Sequence, residues 1–102
     1  MLGHASGVVT VNDAPIKSKL YRFCEKKIDK WVEGHAPLVD ALLDSLADTA
    51  VDFKVMFTEE EETRQISCET EIRLGEHVFR GADLGSDTQQ AFMQCLKRLH
   101  SH

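Results

Sequence analysis

The feature that most constrains the fold is an alternation across residues 64–74. Ile66, Cys68, Thr70, Ile72 and Leu74 fall on one side of an extended chain, and Gln65, Ser67, Glu69, Glu71 and Arg73 on the other. A period of two sustained over this length demands a β-strand with one buried and one solvated face. Gly75-Glu76 supplies a tight turn, and residues 77–82 return as a second strand. Asp87 offers an oxygen to the free N–H groups of the turn that follows it, as a helix N-cap does. Beyond it Ala91, Phe92, Cys95, Leu96 and Leu99 recur at helical spacing. One sheet face and one apolar helix stripe are the halves of a core that the rest of the chain must complete.

The upstream half supplies the missing pieces. Residues 7–11 predict a short strand, Asn12-Asp13 a turn or cap, and Pro15 suits a first helical turn, where its missing N–H costs nothing. Residues 16–32 predict a helix with Ile16, Leu20, Phe23, Cys24, Ile28 and Trp31 in one apolar stripe, ended by Gly34. Pro37 opens a short amphipathic helix over residues 38–46, with Leu38, Val39, Leu42, Leu43 and Leu46 set against Asp40, Asp44 and Asp48. Val51, Phe53, Val55 and Phe57 alternate again as a strand. The run Glu59, Glu60, Glu61, Glu62 repels itself and belongs at an exposed hairpin tip. This order predicts an α+β two-layer sandwich, with an antiparallel sheet of three or four strands and helices on one face only. At 102 residues the chain is expected to be a single domain, with residues 1–6 a loose tail and residues 34–49 an inserted helical segment.

Several function classes are set aside by what the sequence lacks. No apolar run reaches the roughly 18 residues of a membrane span. Residues 1–11 carry neither the basic start nor the continuous apolar stretch of a signal peptide, so a cytoplasmic protein is expected. The three cysteines, Cys24, Cys68 and Cys95, have no CxxC spacing and fall on faces expected to be buried, as reduced core thiols. Cysteine and histidine never pair at zinc-ligand spacing, and adjacent glutamates do not converge on a cation from several directions, so no metal or cofactor is expected. There is no GxGxxG, P-loop, GxSxG or HExxH, and Gly81-x-x-x-Gly85 reads as a strand end and turn. None of the five histidines has a marked partner acid or nucleophile. No catalytic residue is assigned, and a non-enzymatic binding role is predicted.

Charge points to where binding would occur. The net charge is −5, but residues 1–32 hold six basic and three acidic residues, residues 33–63 one and nine, and residues 64–102 five of each. Lys19, Arg22, Lys26 and Lys30 follow one another at spacings of three, four and four, opposite the apolar stripe. Such a row is either a solvated face or a surface that neutralises phosphates. Half of the twelve Lys and Arg lie within the fourteen residues 17–30, which favours the second reading in an acidic chain. The 38–46 helix has no basic residue; it packs on the core or meets a protein partner through Leu38, Leu42 and Leu43.

Two stretches carry a family resemblance: residues 16–31, IKSKLYRFCEKKIDKW, and residues 77–96, HVFRGADLGSDTQQAFMQCL. In them, and in the order of the strands between, the chain resembles the ribosome hibernation-promoting and ribosome-associated inhibitor proteins, also called the sigma-54 modulation family. The resemblance implies a βαβββα fold akin to double-stranded-RNA-binding domains. It also implies docking on the small ribosomal subunit, where messenger and transfer RNA would sit, through basic residues of two helices. Carried over by position, these are Lys19, Arg22, Lys26, Lys27 and Lys30, with Lys97 and Arg98 at the end of the last helix. Residues 34–49 have no counterpart in a minimal member, and the last helix is shorter and less basic. Residues 37–99 alone also resemble a double-stranded-RNA-binding domain with Thr88 and Gln89 in place of its basic pair, which implies a protein-pairing or homodimerising module. The stretch GHAPLVDAL and the spacing from Gly81 to Ala91 are similar to the leucine-sensing regulatory domain of isopropylmalate synthases. The expected partner is the small ribosomal subunit or another structured RNA, with a protein partner or second copy as the alternative. No membrane and no small-molecule substrate are expected.

Overall fold

A computed structural model describes residues 5–35 and 51–101. The alternating stretch at 64–74 becomes strand β4 (Ile66–Leu74), central in a sheet with β3 (Val51–Glu59) and β5 (His77–Gly85) as its antiparallel neighbours. Upstream lie β1 (Ala5–Val11), β2 (Ala14–Ile16) and helix α1 (Lys19–Gly34); downstream lie helix α2 (Thr88–Lys97) and β6 (His100–Ser101). The sheet order is β2-β1-β3-β4-β5-β6. Register places Val9 opposite Val55, Val55 opposite Thr70 and Thr70 opposite Gly81, so one row of positions on the helix-facing side crosses four strands, with side chains on three of them.

That row and its neighbours form the core. Val9, Val55, Cys68, Ile72 and Leu74 are fully buried, and so are Cys24 and Ile28 of α1 and Ala91, Phe92 and Cys95 of α2. The opposite sheet face carries Lys54, Glu69, Glu71, Arg73 and Arg80, of which Glu71 is half-buried and the others exposed. The two-layer α+β architecture with helices on one face is therefore the one expected from periodicity.

The sheet itself is larger than expected and mixed. It has six strands, not three or four, and β1 runs parallel to β3. A helical crossover between two strands of one sheet returns the chain to the same end, and α1 lies in that crossover. Asn12 (φ 49°) and Asp13 (φ 68°) both occupy the left-handed region, which a two-residue type I′ hairpin requires. They turn the chain into β2 before any helix begins. Pro15 thus sits in an edge strand opposite Thr10, where a missing N–H is tolerated, rather than in a first helical turn. The helix starts at Lys19 instead of Ile16, capped by Ser18, whose Oγ accepts from Leu20 N at 3.3 Å.

Three further differences have local causes. Ala5 and Ser6, read as part of a tail, are the first residues of β1; Ala5 is buried, and its N–H donates to Asp29 Oδ1 at 3.0 Å. Gly81 lies inside β5, and Gly85 is its last residue, the strand end expected there. A Cβ on Gly81 would stand 2.8 Å from Cys95 O, and one on Gly85 would stand 2.4 Å from Ala91 N, so the pair lets α2 lie directly on the strand. The helix and insertion expected within residues 34–49 fall outside the described residues, apart from the end of α1 and its cap at His35.

Candidate nucleic-acid interface

The burial of α1 decides which of its side chains face solvent. Cys24, Ile28 and Val32 point into the core. Tyr21 packs at 5.8 Å on Phe53, and Phe23 meets Phe92 edge-on at 6.0 Å. The helix cannot rotate without breaking these contacts, and Lys19, Arg22, Lys26 and Lys30 are left exposed along its outer side. Lys27 lies nearer α2, half-buried, with Nζ 5.7 Å from the centre of the Phe23 ring in a cation–π contact.

Helix α2 is set by its own start. Asp87 caps it by accepting from Gln90 N at 2.7 Å, and Gln90 Oε1 accepts from Ser86 N at 2.6 Å. Reciprocal satisfaction of this kind fixes the first turn. Ala91, Phe92, Cys95 and Leu96 face the sheet, which leaves Met93, Lys97 and the following Leu99 beside α1. Between the helices lies a groove of about 440 Å³, lined by Lys27, Lys30, Trp31, His35, Met93, Leu96, Lys97 and Leu99. None of these residues is acidic.

The structure therefore brings Lys27, Lys30 and Lys97 around one groove and extends the row outward through Lys26, Arg22 and Lys19. Arg98 is held elsewhere: its Nε donates to Asp83 Oδ2 at 2.7 Å. The Asp83 carboxyl is pulled below its ordinary value by the Leu84 backbone N–H and by Arg98. The other ion pairs among the described residues join Glu71 to Arg73 at 3.2 Å and to Arg80 at 2.8 Å, on the far sheet face. No ion pair among the described residues engages a cation of α1. The acidic tip at Glu59–Glu62 is exposed, and Glu59 N donates to Asn12 Oδ1 at 3.0 Å, tying the tip to the β1–β2 turn. Leu38, Leu42 and Leu43 lie outside the described residues.

The sequence places Trp31 in the apolar stripe and His35 in a loop or turn with no marked partner. Trp31 packs edge-on against Phe79 at 5.2 Å and stacks on His35 with ring centres 4.3 Å apart and planes 21° apart. His35 Nδ1 lies 2.7 Å from Trp31 O. A carbonyl oxygen only accepts, so Nδ1 carries the hydrogen and the imidazole is locked in place. The only available signal was their separation by four residues at the end of a helix, which places two rings one above the other.

The chemistry of the interior is structural. Cys95 Sγ lies 3.1 Å from Gly81 O and 3.3 Å from Thr70 Oγ1, two acceptors within reach of its single S–H, and Cys68 Sγ lies 3.5 Å from the same hydroxyl. Thr70, buried in the core, is thereby satisfied by two thiols. The Cys68 thiol is pushed up by its hydrogen bond with Cys95 and by burial, and burial pushes the Cys24 thiol up to about 12. Among the described residues no group of three His, Cys, Asp or Glu side chains converges to hold a metal, and no helix is long and apolar enough to cross a membrane.

No family model matches the chain. No curated protein matches it either. Among solved structures, the fold is similar to the crystal structure of the Thermus thermophilus Protein Y N-terminal domain, with a TM-score of 0.62 and 13% sequence identity. The match covers 95% of this chain and 89% of that one. At such identity the likeness is one of fold, and it extends over nearly the whole chain.

Proposed function

We propose that this protein is a non-enzymatic, cytoplasmic factor that binds the ribosome or another structured RNA and acts on translation in the manner of hibernation-type proteins. The observation that carries the reading is the exposed row Lys19, Arg22, Lys26 and Lys30, continued across the helix groove by Lys97 and unengaged by any ion pair among the described residues. A phosphate backbone rewards such a row because each neutralised phosphate releases condensed counterions, a gain that is local and outweighs a modest overall negative charge. The family resemblance of residues 16–31 and 77–96 supports the reading. So does the fold shared with the Protein Y domain.

Lys19, Arg22, Lys26, Lys27, Lys30 and Lys97 are the proposed phosphate contacts. Arg98 contributes through Asp83, by bracing the end of α2, more than through a contact of its own. Co-sedimentation with purified small ribosomal subunits at low salt tests this. The wild-type protein should pellet with the subunits, and a variant with Lys19, Arg22, Lys26 and Lys30 all replaced by Glu should stay in the supernatant. A wild-type protein that never pellets at low salt would refute the proposal.

A further inference from the structure

The groove between α1 and α2 has features that a row of cations alone does not require. We propose that it holds one unpaired nucleobase of the bound RNA against the Trp31–His35 stack, with the phosphates on either side of that nucleotide reaching Lys27, Lys30 and Lys97. The inference rests on the RNA-docking reading above and names the kind of nucleotide the site takes.

Three properties of the groove support it. First, the aromatic pair is preassembled. Trp31 is held by Phe79 and His35 by its Nδ1–H bond to Trp31 O, so little ring motion is lost when a third ring joins them. Second, the lining is amphipathic in the way a nucleotide is. Met93, Leu96 and Leu99 give an apolar bed, Lys27, Lys30 and Lys97 give cations, and among the described residues no carboxylate lines the space. Third, its volume of about 440 Å³ has room for a base together with its ribose. Bases inside a duplex are already stacked on one another, so only a loop, bulge or single strand can offer one to an aromatic ledge. Stacking of this kind is tolerant of sequence, because every base has a π-face.

Trp31 is the sole tryptophan of the chain, so its emission reports on the groove alone. Three probes separate the contributions: a single-stranded oligoribonucleotide, an abasic strand of the same length and charge, and a blunt RNA duplex of half that length, which carries about the same number of phosphates. The single strand should quench Trp31 and bind about 5-fold or more tighter than the abasic strand, the low end of base–aromatic stacking. The duplex and abasic strand should bind with little quenching. His35→Ala, at an exposed ring, should bring the single strand close to abasic affinity while leaving the abasic strand unaffected. Equal affinity for base-bearing and abasic strands, or equal quenching by all three probes, would overturn the stacking site and leave phosphate docking standing. Absence of binding to every probe at low salt would overturn both.

Discussion

Glycine-to-alanine exchange at two positions should move stability in opposite directions, because the same added methyl group meets different surroundings. At Gly85 it would stand 2.4 Å from Ala91 N and 2.7 Å from Ala91 Cα, both backbone atoms of α2. Favourable separations are about 3.5–4.0 Å, so the helix must retreat from β5 by about 1 Å. Phe92 and Cys95, which share that helix, are fully buried and would be lifted with it. Overpacking of this kind costs about 1–3 kcal/mol. At Gly34, in the last turn of α1, the added methyl group meets nothing within 4 Å. There the exchange narrows the unfolded ensemble and favours helix, a gain of about 0.4–1 kcal/mol. Urea denaturation followed by circular dichroism separates the two: Gly85→Ala should lower the midpoint and Gly34→Ala should raise it, with the slope unchanged. A Gly85→Ala midpoint at or above wild type would refute the claim that α2 rests on a glycine-lined strand.

Two further outcomes follow from the ionisable groups. Arg80 first, and Arg73 with it, hold the Glu71 carboxyl below its ordinary value, and Asp83 is held down by the Leu84 N–H and Arg98. A depressed folded-state value adds stability that is present above the ordinary carboxylate range and is lost as pH falls from that range through the depressed value. The urea midpoint should therefore fall on acidification below about pH 4, and fall less steeply in Glu71→Gln; an identical pH profile in that variant would contradict the assignment. The buried thiols of Cys24, Cys68 and Cys95 should resist an aromatic disulfide reagent in the native protein at mildly alkaline pH, and all three should react in guanidinium. Fast reaction of a native thiol would place that cysteine at the surface.

What could be read from sequence was what neighbouring residues determine among themselves. The alternation in β4, the stripe of α2 and the Asp87 cap are local patterns, and each stands where periodicity put it. The parallel pairing of β1 with β3 depends on a crossover, and β2 is three residues long with a proline at its centre, so neither left a periodic trace. Gly81 and Gly85 looked like punctuation because their role lies in the distance to α2. The cation row was legible from spacing within one helix. Its continuation into Lys97 is a tertiary fact, as is the diversion of Arg98 to Asp83. Trp31 was legible as an apolar residue but not as half of an aromatic stack, since a core stripe and a binding ledge present the same residue at the same spacing.

The central claim is that phosphates are neutralised by the outer side of α1. The most direct measurement is the dependence of RNA affinity on salt, as log K against log salt concentration, for wild type and for a variant with Lys19, Arg22, Lys26 and Lys30 replaced by Ala. Loss of four contacts at about 0.7–0.9 each should flatten the slope by about 3. An unchanged slope, with the variant still folded, would show that the RNA is held by some other surface.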